Sequence, residues 1–263
     1  MKKIKYIFFF FGIISCQMTF AQDQDNVIEE RNEEKLEEND EEEEKLFDFN
    51  LSLKNMHLWR GLHVTNSPVT TADINYTSKN GFFKAGLWGG RSFTGEYTEY
   101  DYYVSFMHKG FTLAIWDINN TSDFPDVGFF NYDRTETSHF IDVSLAYSFK
   151  KIPLNLSWAT VVQGRDYYYD DNGDSKNAFT NYVEASYIFL DKKDWSLAGF
   201  VGGSFSFLNE AHFYGDHPNV SNVGVIYNKE VKILKEYTLP VSATASWNPL
   251  QEYGAIQVAV NLF

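Results

Sequence analysis

From Phe47 onward, apolar residues recur at every second position: Phe47, Phe49, Leu51 and Leu53 alternate with Asp48, Asn50, Ser52 and Lys54. A period of two is a strand with one apolar and one polar face. The alternation returns over 72–77, 99–106 and 141–149. Several of these runs reach about ten residues, longer than the ~5–6 of an ordinary globular strand and close to the ~9–11 that cross a bilayer at a tilt. The connections alternate in kind. Lys79-Asn80-Gly81, Lys109-Gly110, Lys150-Lys151 and Asp191 to Asp194 are tight turns, whereas Arg60 to Pro68, Arg91 to Glu96, Asn119 to Thr137, Arg165 to Lys176 and Asn209 to Asn219 are longer polar loops. Twelve strands follow, starting near Phe47, Val69, Phe82, Tyr97, Phe111, Ser138, Ile152, Phe179, Trp195, Val220, Tyr237 and Tyr253. The pattern predicts an all-β transmembrane antiparallel up-and-down barrel over residues 46–263, with termini and short turns in the periplasm. A soluble β-sandwich also alternates, but with shorter strands and its apolar face turned inward. Here Trp59, Tyr76, Trp158, Tyr187, Trp195 and Trp247 fall near predicted strand ends, the place of the aromatic girdles that rest at lipid headgroups.

The first residues read as an address. Lys2, Lys3 and Lys5 precede the apolar run Tyr6 to Ile14, and Thr19-Phe20-Ala21 supplies small residues for cleavage, so residues 1–21 are expected to be a signal peptide cut after Ala21. Ile13-Ile14-Ser15-Cys16 offers an alternative, lipidation at Cys16. Residues 22–45 hold 13 acids against 3 bases and almost nothing apolar to bury, which predicts an acidic disordered linker. That segment supplies −10 of the chain's formal −14. So acidic a balance argues against a nucleic-acid partner, since phosphate neutralisation needs clustered Lys and Arg. The single Cys excludes a disulfide framework. No stretch after residue 21 is long and apolar enough to span a bilayer as a helix.

Trp59-Arg60-Gly61-Leu62, then Pro68, Gly81-Phe82, Ala85-Gly86-Leu87-Trp88-Gly89 and Gly95-Glu96-Tyr97-Thr98-Glu99-Tyr100-Asp101 resemble the opening of the TorF-like porin family. The resemblance covers residues 57–117 and fades to general barrel character afterwards. It implies an exported outer-membrane β-barrel with pore activity and no enzymatic role, and it carries no catalytic set. The last strand, Ile256 to Leu262 with terminal Phe263, resembles the signal that barrels present to their assembly machinery, although Phe263 shares parity with Gln257, Ala259 and Asn261.

With the apolar stripes toward outer-membrane lipid, the opposite faces line an interior. They bring in Asp48, Lys54, Arg60, Asp73, Lys84, Glu99, Asp101, Asp142 and Glu184. Pairing of the third and fourth strands is expected to set Trp88 near Glu99 and Gly86 near Asp101, the glycine leaving open volume. One reading makes Arg60, Glu99 and Asp101 a constriction that filters small hydrophilic solutes by charge and size; the other makes the charges a salt-bridged plug. Six acids against three bases predict a modest cation preference. Asp170, Asn172 and Asp174 have calcium-loop spacing, but Ser175 and Asn181 stand where an EF-hand needs Gly and Glu. His212 and His217 lack a third ligand, so neither a metal nor another cofactor is expected. Ser138 and His139 are adjacent and point to opposite faces of a strand, and no Gly-x-Ser-x-Gly elbow occurs, which argues against catalysis. Two functions stand: a passive pore, or a closed barrel that serves as a structural or partner-binding outer-membrane protein.

Overall fold

The computed structural model describes residues 46–124, 126–234 and 237–263; the leader expected over 1–21 and the acidic linker over 22–45 lie outside them. Sixteen strands form: β1 (Phe47–Lys54), β2 (His57–Trp59), β3 (Leu62–Thr65), β4 (Val69–Thr77), β5 (Phe83–Ser92), β6 (Thr98–His108), β7 (Phe111–Asn120), β8 (His139–Ser148), β9 (Leu154–Gly164), β10 (Tyr167–Tyr169), β11 (Ser175–Asn177), β12 (Asn181–Lys192), β13 (Trp195–Phe205), β14 (Asn219–Leu234), β15 (Tyr237–Asn248) and β16 (Tyr253–Asn261). Twelve of them close an antiparallel barrel in the order β1, β16, β15, β14, β13, β12, β9, β8, β7, β6, β5, β4, while β2–β3 and β10–β11 are separate hairpins. No wall strand starts more than two residues from the position that alternation predicts.

Closure leaves the twelve-strand wall without a free edge strand, the arrangement open to a sheet that crosses a bilayer. The side chains sort accordingly. Phe49, Ile74, Leu87, Leu156 and Ile256 are exposed on the outside, whereas Ser52, Asn75, Ser105, Thr244 and Gln257 are buried within. An apolar exterior around an interior that buries many polar side chains inverts the soluble arrangement. At one rim lie the start of β1, the end of β16 and the tight turns; at the other lie the long loops. Between His108 and Phe111, which pair, Lys109 and Gly110 have φ of 50° and 84°, the mirror-image turn whose twist suits a two-residue hairpin.

The wall is not equally strong all round. β1 pairs β4 through eight residues, from Phe47↔Tyr76 to Lys54↔Val69, but meets β16 through three, Ser52↔Asn261, Leu53↔Val260 and Lys54↔Ala259. Asn55 extends that short seam with its side chain: its Nδ2 donates to the Ile256 carbonyl (3.0 Å) and its Oδ1 accepts from the Val258 N–H (2.7 Å). Phe263 leaves the strand at the same seam and places its ring 6.2 Å from Phe49 on the outer face, which resolves its awkward parity.

Candidate functional site

The chain does not leave the barrel after β1. His57 to Thr65 fold back as the hairpin β2–β3, with Trp59 opposite Leu62. The connecting pair, Arg60 and Gly61, has φ of 47° and 85°, the turn in which both central residues need positive φ and Gly is favoured second. A side chain on Gly61 would strike the Ser221 carbonyl, its Cβ falling 2.1 Å from that oxygen. The local sequence thus sets a tight tip with no width to spare.

That tip crosses the interior. The Leu58 N–H donates to Gln257 Oε1 at 2.9 Å, and the Gly61 carbonyl accepts from Asn248 Nδ2 (3.1 Å) and the Tyr253 hydroxyl (2.8 Å). Arg60 then reaches β8, which stands beside the strand diametrically opposite β1 in the ring of twelve. Its Nη1 and Nη2 donate to the two Asp142 oxygens at 2.9 and 2.7 Å, and Nη1 also donates to the Tyr214 hydroxyl at 3.1 Å. The two-point geometry is the strong form of an arginine–carboxylate pair. Both partners are sheltered, with side-chain exposures of 15% and 3%. The guanidinium also lies 4.7 Å from the Trp59 ring centroid and 5.3 Å from that of Tyr182, two cation–π contacts.

Around the tip the interior is packed with rings. Trp59 stacks on Tyr214 at 5.4 Å and meets Phe140 and Phe213 at 5.5 and 5.9 Å. The same buried cluster contains Trp88, Tyr97, Tyr103 and Trp116. His57, wholly buried, stacks on Trp88 with neither ring nitrogen partnered among the described residues. Phe213 and Tyr214 come from the β13–β14 loop, and that loop is tied down in turn. Asp166 accepts from the Thr180 N–H (2.8 Å) and hydroxyl (2.6 Å), and Thr180 Oγ1 accepts from the Phe213 N–H (2.9 Å). Burial pushes the Asp166 carboxyl above its ordinary value against the pull of those donors.

Interior glycines receive these rings instead of leaving space. β5 and β6 pair Gly86 with Tyr103, Trp88 with Asp101 and Gly90 with Glu99, a register two residues from the expected one. A Cβ on Gly86 would lie 2.5 Å from the Tyr103 ring, and one on Gly90 2.7 Å from Trp88. The open volume expected beside Asp101 is therefore occupied. Tyr103, stacked on Trp116 at 3.8 Å, covers it.

The charged residues singled out in the sequence all point into the barrel, but they form separate groups. Arg60 pairs with Asp142 and stands in the field of Glu184. Glu184 accepts from the Tyr182 hydroxyl and from Asn222 Nδ2 at 3.3 Å. Glu99 contacts Tyr97, Asn120 and Asp101 under the field of Arg165, and Asp101 accepts from the Asn119 N–H at 3.2 Å. Arg60 is thus not a third member of a Glu99–Asp101 constriction. Asp73 accepts from Asn75 Nδ2 (2.7 Å) and the Tyr103 hydroxyl (3.0 Å), with Lys84 acting on it; Asp48 accepts from Asn50 Nδ2 at 3.2 Å. Lys54 and Lys84 are buried on the inner face.

Two further expectations change. Trp59 is 7% exposed in the interior, so it is no girdle residue, and Trp158 lies in the middle of β9 with its Nε1 donating to Asn181 Oδ1 at 2.9 Å. The Asp170 turn holds its own cation: Lys176 Nζ lies 3.5 and 3.4 Å from Asp170 and Asp174. Under the 121–138 loop on the outer face, an acid–imidazole pair escaped sequence reading because its members lie 22 residues apart. His139 Nδ1 is 2.6 Å from Asp117 Oδ1, while Asp117 Oδ2 accepts from Tyr102 (2.5 Å) and Tyr132 (2.6 Å). The second nitrogen, Nε2, is taken by the Phe129 carbonyl at 2.7 Å, and Ser138 donates to Asn119 at 2.6 Å instead of to the imidazole. His139 is fully buried. The arrangement pins a loop and has no open face on which to activate a nucleophile.

No protein-family model matches the chain, and no characterised protein matches it in sequence. Among solved structures, the chain is similar to the NanC porin at 9% identity and TM-score 0.47, over 81% of this chain and 98% of that one. It is similar to the KdgM porin at 10% identity and TM-score 0.42, over 81% and 96%. The translocator domain of the autotransporter NalP from Neisseria meningitidis aligns at 10% identity and TM-score 0.37, over 91% and 96%.

Proposed function

We propose that this chain is an outer-membrane β-barrel of the porin kind, shut from within by hairpin β2–β3, that passes small hydrophilic solutes when the hairpin leaves its seat. The observation that carries the reading is Arg60, at the tip of a tight turn, held on Asp142 from the far side of the interior. The closed twelve-strand wall and its apolar exterior support outer-membrane lipid as the surroundings. Beside the ring packing of Trp59, the seat has polar contacts at Gln257, Asn248, Tyr253 and Asp142, and hydration can replace that polar part on withdrawal. With the hairpin withdrawn, Arg60 leaves the interior with it, and Asp48, Asp73, Glu99, Asp101, Asp142 and Glu184 outnumber Lys54 and Lys84, which favours cations modestly and less so as salt rises.

The second reading, a permanently closed barrel with a structural or binding role, is favoured by the ring packing around Trp59. Conductance in planar bilayers separates the two. The parent should conduct rarely, and a variant with residues 57–65 replaced by a short Gly-Ser linker should conduct steadily, with reversal potentials on the cation side. A hairpin-less barrel that folds and stays silent overturns the pore. Anion preference would refute the charge assignment, and Glu99→Gln with Asp101→Asn should weaken the cation preference.

A further inference from the structure

The two rims of this barrel carry opposite charge. On the loop-bearing side, the segments 93–97, 121–138, 165–180, 206–218 and 249–252 hold 12 acids against 3 bases. On the side of the termini, every turn with described side chains carries lysine: Lys79 before β5, Lys109 between β6 and β7, Lys150 and Lys151 before β9, and Lys193 before β13. Lys192 and Lys229 both pair with Trp195, the first residue of β13, which fixes them at this rim, and Lys232 lies just beyond. All eight are exposed. The acids among them are Asp191, Asp194 and Glu230, so this collar has a net charge of +5 among the described residues.

One segment of the same chain has the complementary charge and begins at the same place. Residues 22–45 carry −10, and the described chain starts at Leu46, whose carbonyl accepts from the Thr77 N–H at 2.9 Å, two residues from Lys79. We propose that the acidic segment 22–45 docks on this lysine collar. Reach does not limit it. Twenty-four residues extend to about 80 Å, while twelve strands spaced about 4.8 Å apart and tilted about 40° give a barrel about 24 Å across. The opposite rim would repel the segment. Tethering also keeps the local concentration of carboxylates high at no cost in encounter entropy.

The test uses the full mature chain in phosphatidylcholine nanodiscs and reads lysine acetylation rates by mass spectrometry, with Lys176 on the opposite side as the internal control. Docking predicts that the collar lysines react several-fold faster once residues 22–45 are deleted, and also in the intact chain at 1 M NaCl, where screening shortens to about 3 Å. Lys176 should not change on deletion. A second variant, with Glu41, Glu42, Glu43 and Glu44 each changed to Gln, should show part of the same acceleration without shortening the chain. Collar rates unchanged in both variants overturn the proposal. If those rates fall only on addition of phosphatidylglycerol, with or without the segment, the collar is a lipid-headgroup surface instead.

Discussion

Removing the Asp142 carboxylate should unlatch the hairpin. In the parent, Asp142 supplies both oxygens to Arg60 at 2.9 and 2.7 Å, and Asp142→Ala leaves a guanidinium that is 15% exposed without its main partner. Deleting one member of a buried ion pair costs about 3–5 kcal/mol. The lower end applies here, because Arg60 retains Tyr214, the Trp59 and Tyr182 rings and the field of Glu184. At about 1.4 kcal/mol per tenfold change, a loss of about 3 kcal/mol shifts the ratio of seated to withdrawn hairpin by about 150-fold. Single-channel recording of Asp142→Ala should therefore show open probability up by about two orders of magnitude, at the same unit conductance as rare openings of the parent. Arg60→Met with Asp142→Leu should close the barrel again, since an apolar pair of similar volume carries no desolvation debt. If Asp142→Ala stays as silent as the parent while the hairpin-less variant conducts, the ion pair does not set the seat, and the ring packing does.

The mature chain should partition with outer membranes and shift on gels when boiled; recovery as a soluble monomer with no shift would contradict the membrane assignment. Gly86→Val forces the Tyr103 ring from a position 2.5 Å from the new Cβ and should lower barrel stability by about 1–3 kcal/mol, read as a lower urea midpoint. His139→Ala removes the contacts to Asp117 and the Phe129 carbonyl and should make the 121–138 loop protease-sensitive while the heat-modifiable barrel persists. The Asp170 carboxylate is held below its ordinary value chiefly by the Asp174 N–H, then by Asn172 and Lys176. A depressed carboxylate stabilises above its unfolded value, so the β10–β11 turn should loosen as pH falls below about 3.9, visible as a change in amide exchange at Gly173.

The wall was legible because its physics is local. A strand between lipid and an interior must alternate, and Phe47 to Lys54 write that alternation in eight residues. Interior burial was not legible in the same way. His57, Leu58 and Trp59 are all buried, since a hairpin inside a barrel is covered on both faces and loses the period of two. Trp59 therefore read as a girdle residue, although Arg60-Gly61 already had the chemistry of a two-residue turn. The expected neighbours of Asp101 failed for a related reason. Register across a loop depends on where the turn closes, and a slip of two residues keeps every side chain on its proper face. Parity placed Glu99, Asp101 and Asp142 inside; it could not say which of them Arg60 would choose.

The three-residue seam between β1 and β16 has a mechanical consequence. A cylinder under tension or lateral pressure fails along its thinnest line, and here that line joins the two strands farthest apart in sequence. The barrel should therefore close there last during assembly and part there first under load, peeling from the Asn55 patch. The same line stands at the root of the inward hairpin, since β1 leads into it through Asn55 and Met56. A strain that eases the wall apart at this seam therefore reaches the stem of the hairpin as well.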